Sequence, residues 1–269
     1  LASGLRRARG MSYFNIGGNA GYALAPILIT PLVLWLGLEG GLVAAVPVVA
    51  FALYLWRYRP RLRALEEGRP GRLFEGVDRP GAMTVLTLVV VLRTVAWFGL
   101  LTFVPLWIVA QGGTEAEGNR NLAAMLVAGA IGTLLIGRVA DHLGLRRTLL
   151  LTQVAIAPLM LVFVLAGGIA GTLALALLGM SIVGTFGVTT VLGQQYLPCH
   201  VGVAAGLTIG LAIGLGGVAS VAVGVVADAV DLRTALLGSA AAPLLGVLLC
   251  LALPAPAPLR RPAAAPVPS

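Results

Sequence analysis

The chain has 269 residues, 59% of them hydrophobic and 10% charged, with a mean hydropathy of +0.99. Soluble domains carry about 25% charged residues, so a water-soluble fold of this size is excluded and a polytopic membrane protein is expected. The net charge of +8 comes from 18 arginines and no lysine; they lie in short segments between apolar runs, which points to membrane orientation and not to nucleic acid as a partner.

A helix needs about 20 mostly apolar residues to cross a ~30 Å hydrocarbon core. Eight segments qualify, at about residues 11–36, 40–57, 82–110, 121–141, 147–167, 170–196, 202–227 and 233–253. The expected fold class is an all-α integral membrane protein with eight transmembrane helices. The chain opens Leu1-Ala2-Ser3-Gly4, with neither Met nor a signal-peptide pattern, so it is expected to start inside a larger protein.

The first segment carries Asn15 and Asn19, four apart and so on one helix face. It also carries a small-residue stripe, Gly17-x-x-x-Gly21-x-x-x-Ala25-Pro26. Trp35, Trp56 and Tyr58 sit at helix ends and suit an aromatic belt. Residues 58–80 form the one substantial hydrophilic connection, with Pro60, Pro70, Pro80 and several Arg and Glu. In 82–110, Arg93 lies about eleven residues into its helix, ~16 Å at 1.5 Å per residue, near the bilayer centre. Segment 202–227 repeats the small-residue spacing as Gly206-x-x-x-Gly210-x-x-x-Gly214. Both stripes let helices approach closely. Residues 254–269 are a Pro/Ala tail expected to be disordered. Cys199 and Cys250 show no metal spacing and no disulfide framework.

Sorting the arginines by side gives the orientation. With the start of the chain on the cytoplasmic side, fifteen of seventeen loop arginines fall there; Arg120 and Arg233 fall on the other face, and Arg93 lies inside a helix. Both ends are therefore expected in the cytoplasm and the chain in the cell membrane, multi-pass.

Between 121–141 and 147–167 runs Gly137-Arg138-Val139-Ala140-Asp141-His142-Leu143-Gly144-Leu145-Arg146-Arg147. Gly137 permits close helix approach, Asp141 falls near a helix end, and Gly144 supplies a turn because glycine tolerates positive φ. Arg146 and Arg147 are expected in water or among headgroups. The spacing Gly-x-x-x-Asp-His-x-Gly-x-Arg-Arg resembles the signature loop of the major facilitator superfamily, with His142 where Arg or Lys is usual. The resemblance implies a twelve-helix fold of two six-helix lobes joined by a long cytoplasmic loop, working by alternating access. This chain then corresponds to helices five to twelve. Residues 1–57 would be the last two helices of the N-terminal lobe, 58–80 the inter-lobe loop and 81–253 the C-terminal lobe, with the first four helices as missing partners. An internal repeat agrees: Gly10, Gly18 and Gly21 lie 196 residues before Gly206, Gly214 and Gly217. Arg9-Gly10-Met11-Ser12 running into Phe14-Asn15-Ile16-Gly17-Gly18-Asn19, and Arg93 followed by Phe98-Gly99-Leu100-Leu101-Thr102-Phe103-Val104-Pro105-Leu106, resemble the fosmidomycin-resistance-type branch.

A charge at the bilayer centre is costly and usually faces a protein interior or an aqueous cavity. Arg93, Asn15 and Asn19 are thus the candidates for a substrate cavity. The competing readings are a structural Arg bonded to carbonyls or to an acid elsewhere, and asparagines that bond between helices. Trp97, Trp107 and Tyr22 read as packing residues. The Gly17 stripe loosely resembles the superfamily's antiporter motif, with Ala25 for a glycine and without the final Gly pair. No nucleophile–base pair, metal cluster or phosphate-binding loop emerges, so no enzyme, metal or cofactor is expected. All acids fall in loops or at helix ends, so a proton-coupling carboxylate would belong to the first four helices. The expected activity is secondary transport of a small molecule, with drug or metabolite efflux foremost. A non-transporting membrane scaffold or sensor is the alternative, and an intramembrane enzyme a third.

The orientation is checked by cysteine labelling. A cysteine at Gly68 should react only from the cytoplasmic side and one at Gly113 only from outside; labelling of Gly68 in intact cells from outside would refute it.

Overall fold

The computed structural model describes Val43, residues 45–67 and residues 77–255. Every element among the described residues is helical. Helix α1 spans Ala45–Glu67, α2 Pro80–Ala110, α3 Glu115–Leu143, α4 Leu145–Ala166 and α5 Gly168–Tyr196. Next comes one nearly continuous rod: α6 Val201–Ala205, a π-helical turn Gly206–Leu211, and α7 Ala212–Ala229. Helix α8 is Leu232–Ala252. Counting that rod once, six helices among the described residues are long and apolar enough to cross a membrane. They match the last six expected segments. The segment 11–36 lies outside the described residues.

Local chemistry sets the ends. Helix α3 starts at Glu115, before the apolar run, because Thr114 and Glu117 form a reciprocal cap. The Thr114 hydroxyl accepts from the Glu117 N–H at 3.2 Å, and the Glu117 carboxylate accepts from the Thr114 N–H at 2.9 Å. Gly144, with φ +88°, ends α3 and opens α4, so the turn expected there is present. Asp231 caps α8 by accepting from the Thr234 N–H. Helix α1 runs to Glu67, ten residues past the expected end of its apolar segment, and carries Pro60 inside it. The stretch read as a loop from residue 58 is therefore helical in its first part.

The six long helices pack as one lobe. The main pairings are α3 with α5, α4 with α5, α2 with α8, α4 with α8, and α2 with α7. Exchanging α2–α4 with the set α5, α6–α7, α8 maps these pairs onto one another, as an internal repeat requires. Lipid offers no hydrophobic drive between helices, so close packing must hold them. Glycine permits it. A Cβ on Gly179 of α5 would lie 2.2 Å from the Met125 carbonyl oxygen of α3, and one on Gly132 of α3 would lie 2.6 Å from the Met180 Cα of α5. Gly216 lets α7 lean on α2, where a Cβ would meet Thr94 Cγ2 at 2.3 Å. By contrast, no heavy atom of the described residues lies within 4 Å of a Cβ built on Gly206, Gly210 or Gly214. The stripe expected to pack is not packed within this lobe. Gly17 and Gly21 lie outside the described residues.

The interior divides along its length. One apolar cluster holds Ala96, Leu100, Met125, Ile156, Leu178, Ile182 and Ala240; the other holds Leu86, Val90, Ala140, Leu149, Val188, Leu192 and Cys250. Between them, on four helices, lie buried polar side chains and a glycine: Arg93 and Thr94 on α2, Thr152 and Gln153 on α4, Thr185 on α5, and Gly246 on α8.

Gly179→Ala should lower the lobe's unfolding free energy by at least about 2 kcal/mol, because the new methyl meets a rigid carbonyl. Gly238→Ala, where a Cβ meets nothing within 4 Å, should leave it unchanged or raise it by up to ~1 kcal/mol. Thermal unfolding of purified protein in detergent checks both.

Candidate functional site

Arg93 lies in the polar layer and is 1% exposed. Its Nη1 donates to the Thr185 hydroxyl, which in turn donates to the α5 backbone at Ser181 and Ile182. The guanidinium carbon lies over the Phe186 ring, 4.9 Å from its centroid, and that ring stands nearly perpendicular to Trp97. Arg93 Nε and Nη2 have no hydrogen-bond partner among the described residues. Neither ion pair found among the described residues reaches it; these are Arg120 with Glu117, and His200 with Asp78. In the described conformation Arg93 is thus sealed inside the lobe, held by one hydroxyl and one ring. Asn15 and Asn19 lie outside the described residues, so the structure does not bring the three cavity candidates together.

Sequence reasoning missed Gln153. It is 0% exposed, and neither its Nε2 nor its Oε1 has a partner among the described residues. A Cβ on Gly246 of α8 would lie 2.5 Å from its Nε2. A glutamine embedded in the apolar run 147–167 was the available signal.

The signature loop is an end of the lobe rather than a pocket. Asp141 and His142 are exposed, as is Arg147. Gly137 lines a narrow crevice between α3 and α5, with Thr133, Ala140, Gly184 and Val188. Arg146 departs from the expectation of a solvated side chain: it is half-buried, and its Nη2 donates to the Leu251 carbonyl at 2.8 Å, satisfying the last turn of α8.

That contact belongs to a clasp. The Arg79 N–H donates to the Tyr196 carbonyl at 2.7 Å, and the Tyr196 hydroxyl donates to the Pro254 carbonyl at 2.6 Å. The Arg79 guanidinium reaches the Ala255 carbonyl at 3.4 Å. Asp78 accepts from the Cys199 N–H at 2.9 Å and pairs with His200 Nδ1. The Cys199 N–H, helped by His200, holds the Asp78 carboxyl below its ordinary value of 3.8. At the other end of the lobe, Trp107, Gln111, Asn121, Phe163, Gly167 and Thr172 line a cleft of about 390 Å³.

The family model of the Major Facilitator Superfamily matches residues 1–220. The chain is 31% identical over 265 residues to an uncharacterised MFS-type transporter, YfnC, of Bacillus subtilis (strain 168), covering 92% of this chain and 63% of that one. It is 24% identical over 257 residues to the fosmidomycin resistance protein of Escherichia coli (strain K12), with the same coverage of 92% and 63%. The chain thus spans less than two thirds of the length of these relatives. Its fold matches the outward conformation of the transporter FucP with a TM-score of 0.59 at 19% identity, over 65% of this chain and 43% of that one.

Because the Asp78 carboxyl is held low, its contacts contribute fully above pH 3.8 and are lost as the pH falls below that value. Asp78→Ala should therefore speed hydrogen exchange at the Cys199 amide several-fold at neutral pH. The gap between variant and wild type should close in acid. An unchanged exchange rate at neutral pH would show that the clasp does not depend on this carboxylate.

Proposed function

We propose that this chain, which belongs to the Major Facilitator Superfamily, works as an exporter of drugs or small metabolites by alternating access. Members of the superfamily are membrane transporters that act on small molecules, and the lobe of six apolar helices is the scaffold such a transporter needs. The observation that carries the export reading is the likeness to a protein named for fosmidomycin resistance. In this reading residues 1–57 complete an N-terminal lobe, 58–80 join the lobes, 81–253 form the C-terminal lobe, and 254–269 trail from it. Both ends face the cytoplasm of a cell-membrane protein. Coupling is by proton antiport, with the carboxylate supplied by four helices preceding this chain.

Arg93, Asn15 and Asn19 are proposed to line the substrate cavity. Arg93 is sealed in the described conformation, so its contact with substrate belongs to another step of the cycle. Two guanidinium nitrogens without partners support this: they leave donors free for an anionic substrate or for water. The loop Gly137, Asp141, His142, Gly144, Arg146 and Arg147 is proposed to hold one conformational state. The glycines Gly17, Gly21, Gly206, Gly210 and Gly214 are proposed to face the opposite lobe, since the last three meet nothing in their own.

The test is flux per molecule of whole protein in liposomes, with fosmidomycin as first substrate, read beside thermal stability. Arg93→Ala should lower flux about tenfold or more, in line with losing one charged contact, and leave folding intact; Arg93→Lys should restore part of it. Asp141→Asn should lower flux more than membrane abundance. Normal flux from an Arg93→Ala protein of collapsed stability would make that residue structural. Equal flux in Asp141→Asn would make the loop carboxylate a solvated bystander.

A further inference from the structure

Two side chains in the middle of the lobe are buried with unmet hydrogen-bonding capacity, and they are complementary. Arg93 has free donors at Nε and Nη2; Gln153 has a free acceptor at Oε1. Both lie in the polar layer between the two apolar clusters. On α2 that layer falls between Val90 and Ala96, and on α4 between Leu149 and Ile156. Gln153 borders α8, and the residue next to Arg93 reaches the same turn. Gln153 Nε2 lies against Gly246, with Leu92, the neighbour of Arg93, on the same spot at 3.9 Å. One turn further along α8, Cys250 is 1% exposed and belongs to the apolar cluster that also holds Val90 of α2. No described carboxylate pairs with Arg93; the acids between residues 77 and 255 lie at helix ends, outside this layer.

Water is scarce in a membrane lobe, so an orphaned donor and an orphaned acceptor at the same depth are strongly driven to meet. In the described conformation they do not meet: Arg93 is turned to Thr185 on α5. We propose that Gln153 is a positioning residue for Arg93, and that the guanidinium exchanges between Thr185 and the Gln153 amide as the lobe changes shape. The bonding to Thr185 uses one guanidinium nitrogen and leaves two free, so a second resting place costs little to occupy. Gly246 favours the exchange. Without a Cβ there, the Gln153 amide can lie on the α8 backbone and move when α8 shifts. The exchange would give Arg93 two discrete positions, as an element that changes state with the transport cycle needs. The proposal rests on the reading of Arg93 as a transport residue, but its test does not need a known substrate.

The test uses whole protein in a Cys199→Ser background, where alkylation of Cys250 by N-ethylmaleimide reports on α8 one turn beyond Gly246. Gln153→Glu replaces the neutral acceptor with a carboxylate that should capture Arg93. Expected are a higher Tm and a several-fold change in the Cys250 alkylation rate, both absent when Arg93→Met is added. In the fosmidomycin assay, Gln153→Glu should lower kcat with KM little changed, and Gln153→Asn should transport better than Gln153→Leu. If Gln153→Glu shifts alkylation and Tm equally with and without Arg93, the two side chains do not meet and the proposal is overturned. If the alkylation cycle is coupled while Arg93→Ala transports normally, the pair stands and the transport role of Arg93 falls.

Discussion

The lobe depends on how one guanidinium is kept inside it. A charge at a membrane-helix centre costs ~2.5–3.5 kcal/mol on insertion scales. Arg93 meets that cost with the Thr185 hydroxyl and the face of Phe186, within the layer of buried polar side chains. The layer in turn shapes the core. Apolar packing is interrupted at the same depth on α2, α4, α5 and α8, leaving two hydrophobic clusters instead of one. The threonines do not add to the polar burden, because their hydroxyls return to the carbonyl four residues back, as Thr94 does to Val90 and Thr189 to Thr185. Thr94 turns its methyl group towards Gly216 of α7.

Packing supplies what solvent exclusion cannot. With lipid as the alternative surroundings, helix association relies on close contact, and the crossing of α3 and α5 shows it. Gly129 and Gly132 on one helix face Gly179 and Gly184 on the other, where added Cβ atoms would meet backbone atoms at 2.2–3.2 Å. The rod α6–α7 is different. Its glycines Gly206, Gly210 and Gly214 meet nothing within the lobe, and a π-helical turn over Gly206–Leu211 follows its first short helix.

Much of this was legible in the sequence. Long apolar runs are read directly as membrane helices, and the turn at Gly144 follows from its place between two such runs. The place of Arg93 well inside a long apolar helix was legible too, because it interrupts an apolar run. Its surroundings were not. Whether a mid-membrane arginine faces a cavity or a packed interior depends on the angular position of helices that are far apart in sequence. The same limit hid Gln153, whose meaning comes from lying beside Gly246, 93 residues away. Periodicity did not find the glycines that pack this lobe. Regular four-residue spacing marked Gly206, Gly210 and Gly214, whereas the contacts inside the lobe use less regular ones at Gly118, Gly132, Gly179 and Gly216. Arg146 looked solvated because charge suggests water, yet the open carbonyls at the end of α8 compete for it.

The clasp formed by Arg79, Arg146 and Tyr196 has a mechanical meaning. It ties the start of α2, the start of α4, the end of α5 and the exit of α8 to one another at a single end. At the opposite end Thr172 ties α5 to α3 by donating to Asn121 at 2.9 Å, and Gly112, Gly167 and Gly168 turn the chain at positive φ beside an open cleft. A bundle with more ties along one edge than along the other bends like the pages of a book. Any flexing of this lobe would leave the bound edge still and be felt as a fanning of helix ends on the far side.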